Sequence, residues 1–207
     1  KEKLKDFIPE HLNNEKIDII KTMIDRKINS PETSSMGRLF DGISSILGVN
    51  NKVTFEGEAA INLENICDEN NSETYIFQII RDKESFIFCF DDIIKGIIYD
   101  INSKNNISII GKKFHNTVVK GTIEMALSIR EDTNINTIVI SGGVFQNEIL
   151  FKGVIEGLNK YNFNVIAHKI IPCNDSGVSL GQLVIANEVI KEELRGRGYV
   201  YSSSSKN

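Results

Sequence analysis

The first third of the chain carries apolar residues at steps of three and four, the spacing of helices that bury one face. Three helices are predicted, over 17–28, 36–47 and 56–69. Pro31 follows the end of the first, and Ser34 or Ser35 can cap the start of the second. Gly48 lies just past the end of the second helix, where a left-handed residue commonly closes a helix. This part of the chain is therefore predicted to be a series of helices with short polar joins.

The middle third combines two strand patterns with two further helix patterns. The apolar runs 75–80 and 85–90 predict a pair of strands, and the polar residues 81–84 between them predict a hairpin turn. The isoleucine-rich stretch 93–101 predicts a short helix, and the apolar spacing over 107–130 predicts a long one. One hairpin followed by two helices is therefore expected here.

Strands and helices alternate in the last third. The apolar run 137–140 predicts a strand, 147–159 a helix, 164–168 a second strand, and 176–194 a final helix. Strand, helix, strand and helix with short joins are typical of parallel α/β pairing. Residues 196–207 have low complexity and are predicted to be a disordered tail.

Composition narrows the classes of function. The 207 residues include 24 Lys and Arg and 28 Asp and Glu, a net charge of -4, so no basic excess is present to neutralise nucleic-acid phosphates. The apolar runs are too short to span a membrane. The three cysteines are far apart and form no CxxC pair. Their number and spacing favour a reducing, cytoplasmic compartment and do not indicate a thiolate metal site.

The most informative segment is residues 141–147, Ser-Gly-Gly-Val-Phe-Gln-Asn, which we call the glycine loop. Gly142 and Gly143 follow a predicted strand directly, so a ligand can approach the backbone where no Cβ is present. The helix that begins near Asn147 would offer free N–H groups at its N-terminus. The pattern predicts a nucleotide-binding site. The alternative is that the glycines only make a tight turn and Asn147 only caps the helix.

Three further residues are candidates for chemistry. Asp175 follows the next strand, at the same edge of the predicted sheet, where its carboxylate could ligate a hard cation; the alternative is a helix cap. Gly37 stands at a helix start, and Asp41 lies one turn further on, where a carboxylate could hold ribose hydroxyls. The alternative for that pair is a solvated helix start. His115 is predicted to be partly buried and hydrogen-bonded and not a ligand.

Taken together, these segments resemble the C-terminal part of the hydrogenase-maturation carbamoyltransferase family, HypF. The segments that carry the resemblance are TSSMGRLFD at 33–41, FEGEAA at 55–60, Phe114-His115, SGGVFQN at 141–147, and Asn174-Asp175 leading to Leu180-Gly181-Gln182. The resemblance implies an α/β fold, one lobe of an actin/hexokinase/Hsp70-type ATPase domain with a mixed sheet and flanking helices. It implies that 1–195 form the second lobe of a Kae1-like domain, with 1–31 as a helical lead-in.

The family's activity is implied in the same way. Its members use carbamoyl phosphate and ATP to make carbamoyl-adenylate, and they transfer the carbamoyl group to the C-terminal cysteine of the partner protein HypE. The product becomes the cyanide ligand of nickel–iron hydrogenase. Two alternatives remain open at this point: a non-catalytic docking module, and a sugar or acetate kinase-like member of the same superfamily.

The resemblance also assigns the candidate residues. It implies a nucleotide-binding role for Gly37, Asp41, Gly142, Gly143 and Asn147, and a metal-ligating role for Asp175. The metal (Fe, Zn or Mg) would be shared with histidines of the first lobe, and no such histidine motif occurs here. Ser176 stands where the family more often has Gly, and Arg38 replaces an acidic residue of the tRNA-modifying relatives. The chain is therefore expected to be a fragment that is inactive alone and binds ATP weakly or not at all.

Overall fold

The computed structural model of the chain describes residues 13–68, 70–83 and 85–203. Its elements in chain order are α1 (Asn14–Asp25), α2 (Met36–Ile46), α3 (Glu58–Asn65), β1 (Gln78–Asp82), β2 (Ser85–Cys89), α4 (Asp91–Asn102), α5 (Ile107–Thr133), β3 (Thr137–Ile140), a 3-10 turn (Gly143–Gln146), α6 (Glu148–Lys160), β4 (Asn164–Ala167), a 3-10 turn (Asp175–Gly177) and α7 (Val178–Ser203). Each predicted helix and strand is present, which confirms the α/β class.

Four helices, α1, α2, α5 and α6, begin at a side chain that accepts from a free N–H group. Ser35 caps α2 by accepting from the Arg38 N–H, and Asn147 caps α6 by accepting from the Leu150 N–H. At the start of α3 no side chain caps, and Gly57 adopts a left-handed φ of 85° there. Helix α3 is shorter at both ends than the predicted 56–69.

The strands form two separate sheets in the described part of the chain. β1 and β2 pair antiparallel, from Gln78 with Cys89 to Asp82 with Ser85, so the hairpin loop is shorter than predicted. β3 and β4 pair in parallel, with Ile138 opposite Val165. The expectation of one mixed sheet is therefore wrong for this part of the chain, because the two strand pairs do not hydrogen-bond to each other.

Helix α5 joins two hydrophobic cores. The larger core is built from α2, α3, α4 and the first half of α5, and its buried residues include Phe40, Ile43, Leu63, Ile93, Ile97, Ile110 and Phe114. The smaller core lies between α6, β3, β4 and the second half of α5, and its buried residues are Ile140, Val154, Leu158 and Phe163. Val119 of α5 packs against both cores, so the long helix fixes one core relative to the other.

The two terminal helices differ from the rest. No residue of α1 is buried, and residues 178–193 of α7 are all exposed. The predicted disordered tail is helical as far as Ser203, where α7 ends, and 204–207 lie outside the described residues. The first part of the expected lead-in, 1–12, also lies outside them. Within the described ranges, every helix is too short or too polar to traverse a lipid bilayer.

Candidate functional site

The glycine loop and the loop after β4 are held side by side. Because β3 and β4 are parallel, their carboxyl ends meet at one edge of the sheet. The Gly142 N–H donates to the Cys173 carbonyl over 2.9 Å, and the Ser141 Oγ lies 2.9 Å from His168 Nε2. We call residues 172–177 the aspartate loop. As predicted, the two loops that follow the parallel strands share one edge of the sheet.

The glycines of this loop are not required by packing inside the protein. Gly142 has a φ of 100°, a backbone conformation that disfavours any side chain. A Cβ added at Gly142 or at Gly143 would meet no atom within 4 Å, so the space above both residues is open. Their exposed backbone is therefore accessible to a ligand.

Helix α2 lies next to this loop. Helix α2 contacts the 143–146 turn, and Val144 packs against the core that contains Phe40 of α2. At Gly37 an added Cβ would meet only the Ser35 Oγ, at 3.8 Å. Asp41 is exposed, and its carboxylate has no hydrogen-bond or ion-pair partner among the described residues. The structure thus brings α2 and the glycine loop together.

Asn147 is already engaged by the protein. Its Oδ1 accepts from the Leu150 N–H over 2.9 Å, and its Nδ2 lies 3.0 Å from His115 Nε2. The ring of His115 is fully buried, more so than predicted, and its Nδ1 lies 2.7 Å from the Gly111 carbonyl oxygen. Desolvation by burial lowers the pKa of His115 to about 4, so the ring is neutral near pH 7. The capping role considered for Asn147 is confirmed; its role towards a nucleotide stays a prediction.

The N-terminus of α6 is occupied by Glu64 of α3. The Glu64 Oε1 accepts from the N–H groups of Glu148, over 2.6 Å, and of Ile149, over 3.3 Å. With the Asn147 cap, the N–H groups of the first turn of α6 are all paired within the protein. The expectation that this helix end offers free donors is therefore wrong, because a carboxylate 84 residues earlier in the chain fills it.

Free donors remain in the glycine loop itself. The N–H groups of Gly143 and Val144 have no acceptor in the part of the chain that the structure describes. They are adjacent, and they lie on the loop whose glycine backbone is open. The loop, and not the helix end, is therefore the place where an anion could bind this edge.

Asp175 is the unpaired acid of the aspartate loop. Asn174 makes the cap there, because its Oδ1 accepts from the Ser176 N–H over 3.1 Å, and the carboxylate of Asp175 is exposed without a partner among the described residues. The turn accommodates Ser176, which is exposed. Gly177 is the tight position, since a Cβ there would lie 3.1 Å from the Pro172 carbonyl oxygen.

The described residues do not hold a metal by themselves. No cluster of three or more His, Cys, Asp or Glu side chains with suitable geometry occurs among them. His168, on the neighbouring strand end, is bonded to Ser141. Asp175 therefore offers a single ligand, and one carboxylate holds a divalent cation weakly.

Two cavities adjoin this region. One has a volume of about 260 Å³ and a largely apolar wall, which includes Ile140, Phe145, Phe151 and residues 168–173. The other is a polar groove of about 750 Å³ between α3, α5 and α6, and its wall includes Glu64, Lys112 and Glu148. Sequence reasoning missed Glu64 and His168, because neither has a partner at a recognisable spacing in the chain.

Comparisons with known proteins show the family of the chain. The family model described as carbamoyltransferase, Kae1-like domain, second subdomain matches residues 1–182. The chain is 35% identical over 185 residues to carbamoyltransferase HypF of Synechocystis sp., covering 89% of this chain and 23% of that protein. It is 30% identical over 179 residues to a probable carbamoyltransferase HypF of Methanocaldococcus jannaschii, covering 86% of this chain and 23% of that one. The chain thus spans about a quarter of the length of these relatives.

More distant relatives include a tRNA N6-adenosine threonylcarbamoyltransferase of Thermosipho melanesiensis, 24% identical over 173 residues, which cover 82% of this chain and 49% of that protein. Among solved structures, full-length HypF in its phosphate- and nucleotide-bound form matches with a TM-score of 0.83 and 41% identity, covering 91% of this chain and 25% of that one. HypF of T. kodakarensis matches with a TM-score of 0.71 and 20% identity, covering 88% of this chain and 23% of that one, a likeness of fold alone.

Proposed function

The chain belongs to the family of the second subdomain of the Kae1-like domain of carbamoyltransferases, and from this premise we propose that it forms one half of an ATP site. The observation that carries the proposal is the contact between the two loops, made by the Gly142 N–H and the Cys173 carbonyl. It brings an open glycine backbone and an unpaired carboxylate to one sheet edge, where α/β folds commonly bind ligands. A full-length HypF, of which this chain matches 25% at 41% identity, is solved in a phosphate- and nucleotide-bound form, which is consistent with nucleotide binding in this family.

In this proposal each candidate residue has one task. The open backbone at Gly142 and Gly143 admits the phosphates, and the N–H groups of Gly143 and Val144 donate to them. Asn147 holds the end of the loop. On α2, Gly37 leaves room for the nucleoside, and the Asp41 carboxylate accepts from the ribose hydroxyls.

Asp175 would supply one carboxylate to a divalent metal (Fe, Zn or Mg) whose other ligands, histidines, come from outside this chain. A bound divalent cation stabilises negative charge that develops on phosphate oxygens. The exposed position of Asp175 and its lack of a protein partner in the described ranges leave the carboxylate available for that role. The chain by itself is expected to bind ATP weakly or not at all and to show no turnover.

The proposed reaction is carbamoyl activation and transfer. Water hydrolyses carbamoyl phosphate to carbamate and inorganic phosphate, and the carbamate oxygen then attacks the α-phosphorus of ATP as pyrophosphate leaves. The resulting carbamoyl-adenylate is attacked at its carbonyl carbon by a cysteine thiolate, and AMP leaves. The acceptor would be the C-terminal cysteine of a HypE-like partner in the cytoplasm, and the thiocarbamate would serve cyanide-ligand synthesis in nickel–iron hydrogenase maturation. The whole domain would be a two-lobed ATPase of the actin/hexokinase/Hsp70 type.

The test uses the longer carbamoyltransferase that carries this chain. We expect AMP to be released from ATP only when carbamoyl phosphate is present, and Asp175→Ala to abolish carbamoyl transfer. The matched control is Asp82→Ala, which removes an exposed carboxylate at the β1–β2 hairpin and should leave transfer unchanged.

Each other outcome excludes part of the proposal. Normal transfer by Asp175→Ala would contradict the metal role of that residue. Release of ADP instead of AMP would indicate a kinase-like member of the superfamily. Capture of the thiol-bearing partner with no dependence on nucleotide, together with no AMP release, would indicate a docking module.

A further inference from the structure

The hydrogen bonds around His115 have only one possible direction. At one end the Leu150 N–H can only donate, so the Asn147 atom that it contacts must be the carbonyl oxygen. The Asn147 amide nitrogen therefore faces His115 Nε2 and donates to it. At the other end the Gly111 carbonyl can only accept, so His115 carries its proton on Nδ1. The chain of donors runs from Leu150 through Asn147 and His115 to Gly111.

This arrangement requires a neutral imidazole. An imidazolium would present an N–H at both ring nitrogens, and its Nε2–H would point at the amide hydrogens of Asn147. The surroundings oppose the charge as well. Burial removes water from the ring, and Lys112 is a nearby cation. The rings of Phe40 and Phe114 and the Cys67 Sγ, 3.4 Å from Nδ1, occupy the space around the imidazole. His115 is therefore built into the fold as an acceptor at Nε2.

Asn147 connects that acceptor to the glycine loop. Its N–H donates to the Val144 carbonyl over 3.1 Å, which closes the loop, and its carbonyl accepts from the Phe151 N–H over 2.9 Å. Its side chain caps α6 at the same time. One residue thus joins the turn to the helix, and its side chain is held at one end by the Leu150 N–H and at the other by His115.

We propose that His115 is a positioning residue of the nucleotide site, which acts through Asn147 to hold the glycine loop in the conformation that binds ATP. This inference rests on the proposed function of that loop. His115 is fully buried, so it does not contact the nucleotide. Without an acceptor at Nε2, the buried amide of Asn147 loses a hydrogen-bond partner, which destabilises the orientation that caps α6 and closes the loop.

Two substitutions distinguish the effect of losing the hydrogen-bond acceptor at position 115 from the effect of losing the aromatic ring. His115→Phe keeps an aromatic ring and removes the acceptor, whereas His115→Gln removes the ring and keeps an amide oxygen that can accept from Asn147. In the longer carbamoyltransferase that carries this chain, we expect His115→Phe to weaken ATP binding about tenfold, the scale of one unsatisfied buried polar group. We expect His115→Gln to recover most of that loss.

The control is Ile97→Ala, which empties a fully buried position in α4 and destabilises the core without touching Asn147. It should bind ATP as the wild type does at a temperature where all variants are folded. Equal affinity of His115→Phe and wild type would overturn the inference, as would the same loss in His115→Phe and Ile97→Ala. A wild type that does not bind ATP would instead contradict the proposed function.

A second measurement needs no variant and no nucleotide. Imidazole nitrogen NMR of the 207-residue chain should show His115 protonated on Nδ1 and bare on Nε2 at pH 7. A proton on Nε2 would overturn the inference even if His115→Phe failed to fold.

Discussion

Tyr75 and His115 are buried ionisable residues whose charged forms the fold excludes. The Tyr75 hydroxyl donates to Asp100 Oδ2 over 2.8 Å, and Lys113 Nζ lies 3.2 Å from the same oxygen. Burial raises the pKa of Tyr75, and the hydrogen bond to Asp100 raises it further. Burial likewise raises the pKa of the Cys67 thiol to about 12, so this cysteine is a poor nucleophile near pH 7. Burial therefore keeps these side chains in their neutral forms near pH 7.

His115 makes the stability of the chain depend on pH. In an unfolded chain the pKa of histidine is about 6.5, and in this fold it is about 4, so the unfolded state takes up its proton first. The contribution of His115 to the free energy of unfolding should be constant above pH 6.5 and should fall as the pH decreases to about 4. The full loss is about 3 kcal/mol.

Urea unfolding of the wild type and of His115→Gln at several pH values checks this. The variant lacks the titrating ring, so the difference in stability between the two proteins should narrow as the pH falls from 6.5 to 4. A difference that does not change over that range would show that His115 is not buried as a neutral ring.

At the scale of elements, glycines allow helices to approach their neighbours. A Cβ at Gly96 of α4 would lie 2.6 Å from Cδ1 of Tyr75, and a Cβ at Gly153 of α6 would lie 2.9 Å from Cγ2 of Val119. Tyr75 cannot easily move away, because its N–H donates to Thr117 and its hydroxyl to Asp100. The glycine in α4 is therefore required by packing, unlike those of the open glycine loop.

Two alanine substitutions in helices should have opposite effects. Gly96→Ala should destabilise the chain by about 1–3 kcal/mol, because the new methyl overlaps a fixed ring. Gly42 is an exposed residue of α2, and a Cβ added there would have no atom within 4 Å. Gly42→Ala should therefore stabilise the chain by up to about 1 kcal/mol. Thermal unfolding of both variants measures the difference. Equal shifts would contradict the packing of Tyr75 against α4.

At the scale of the whole molecule, several apolar surfaces are uncovered in the described part of the chain. Val139 and Ile166 are 65% and 50% exposed on one face of the β3–β4 sheet, whereas parallel sheets are normally covered on both faces. Ile24 of α1 and Leu183 of α7 are also exposed. These apolar side chains are exposed in a chain that matches the second subdomain of a larger domain.

The chain on its own should therefore self-associate as its concentration rises. Replacing Val139 and Ile166 together by threonine, which keeps strand preference, should weaken the association. Val53→Thr, at an exposed apolar residue outside the sheets, is the matched control. Sedimentation velocity measures the association. If the wild type and the variants were all monomeric at every concentration, the exposed apolar residues would not cause self-association, and the prediction would be wrong.

The elements that could be predicted from the sequence are those with local signals. The caps Ser35 and Asn147 stand next to the helices that they start, and the apolar spacing of α5 repeats over many turns. In each case the residues that indicate the helix lie in the helix itself or directly beside it. The start of β1 was mispredicted at residue 75, because Tyr75 is held by Thr117 and Asp100, 42 and 25 residues away. Distant partners of this kind leave no pattern in the segment itself.

The same distinction applies to the candidate site. The local order of residues in the sequence determined that a glycine loop and an acidic loop follow two parallel strands, since strand ends and turn residues are local features. Only the tertiary structure decided which atoms are free there. Glu64 closes the end of α6 from 84 residues away, and His115 fixes Asn147 from 32 residues away. Hydrogen bonds between distant segments form only when packing brings their donors and acceptors within about 3 Å, and no local pattern encodes that distance.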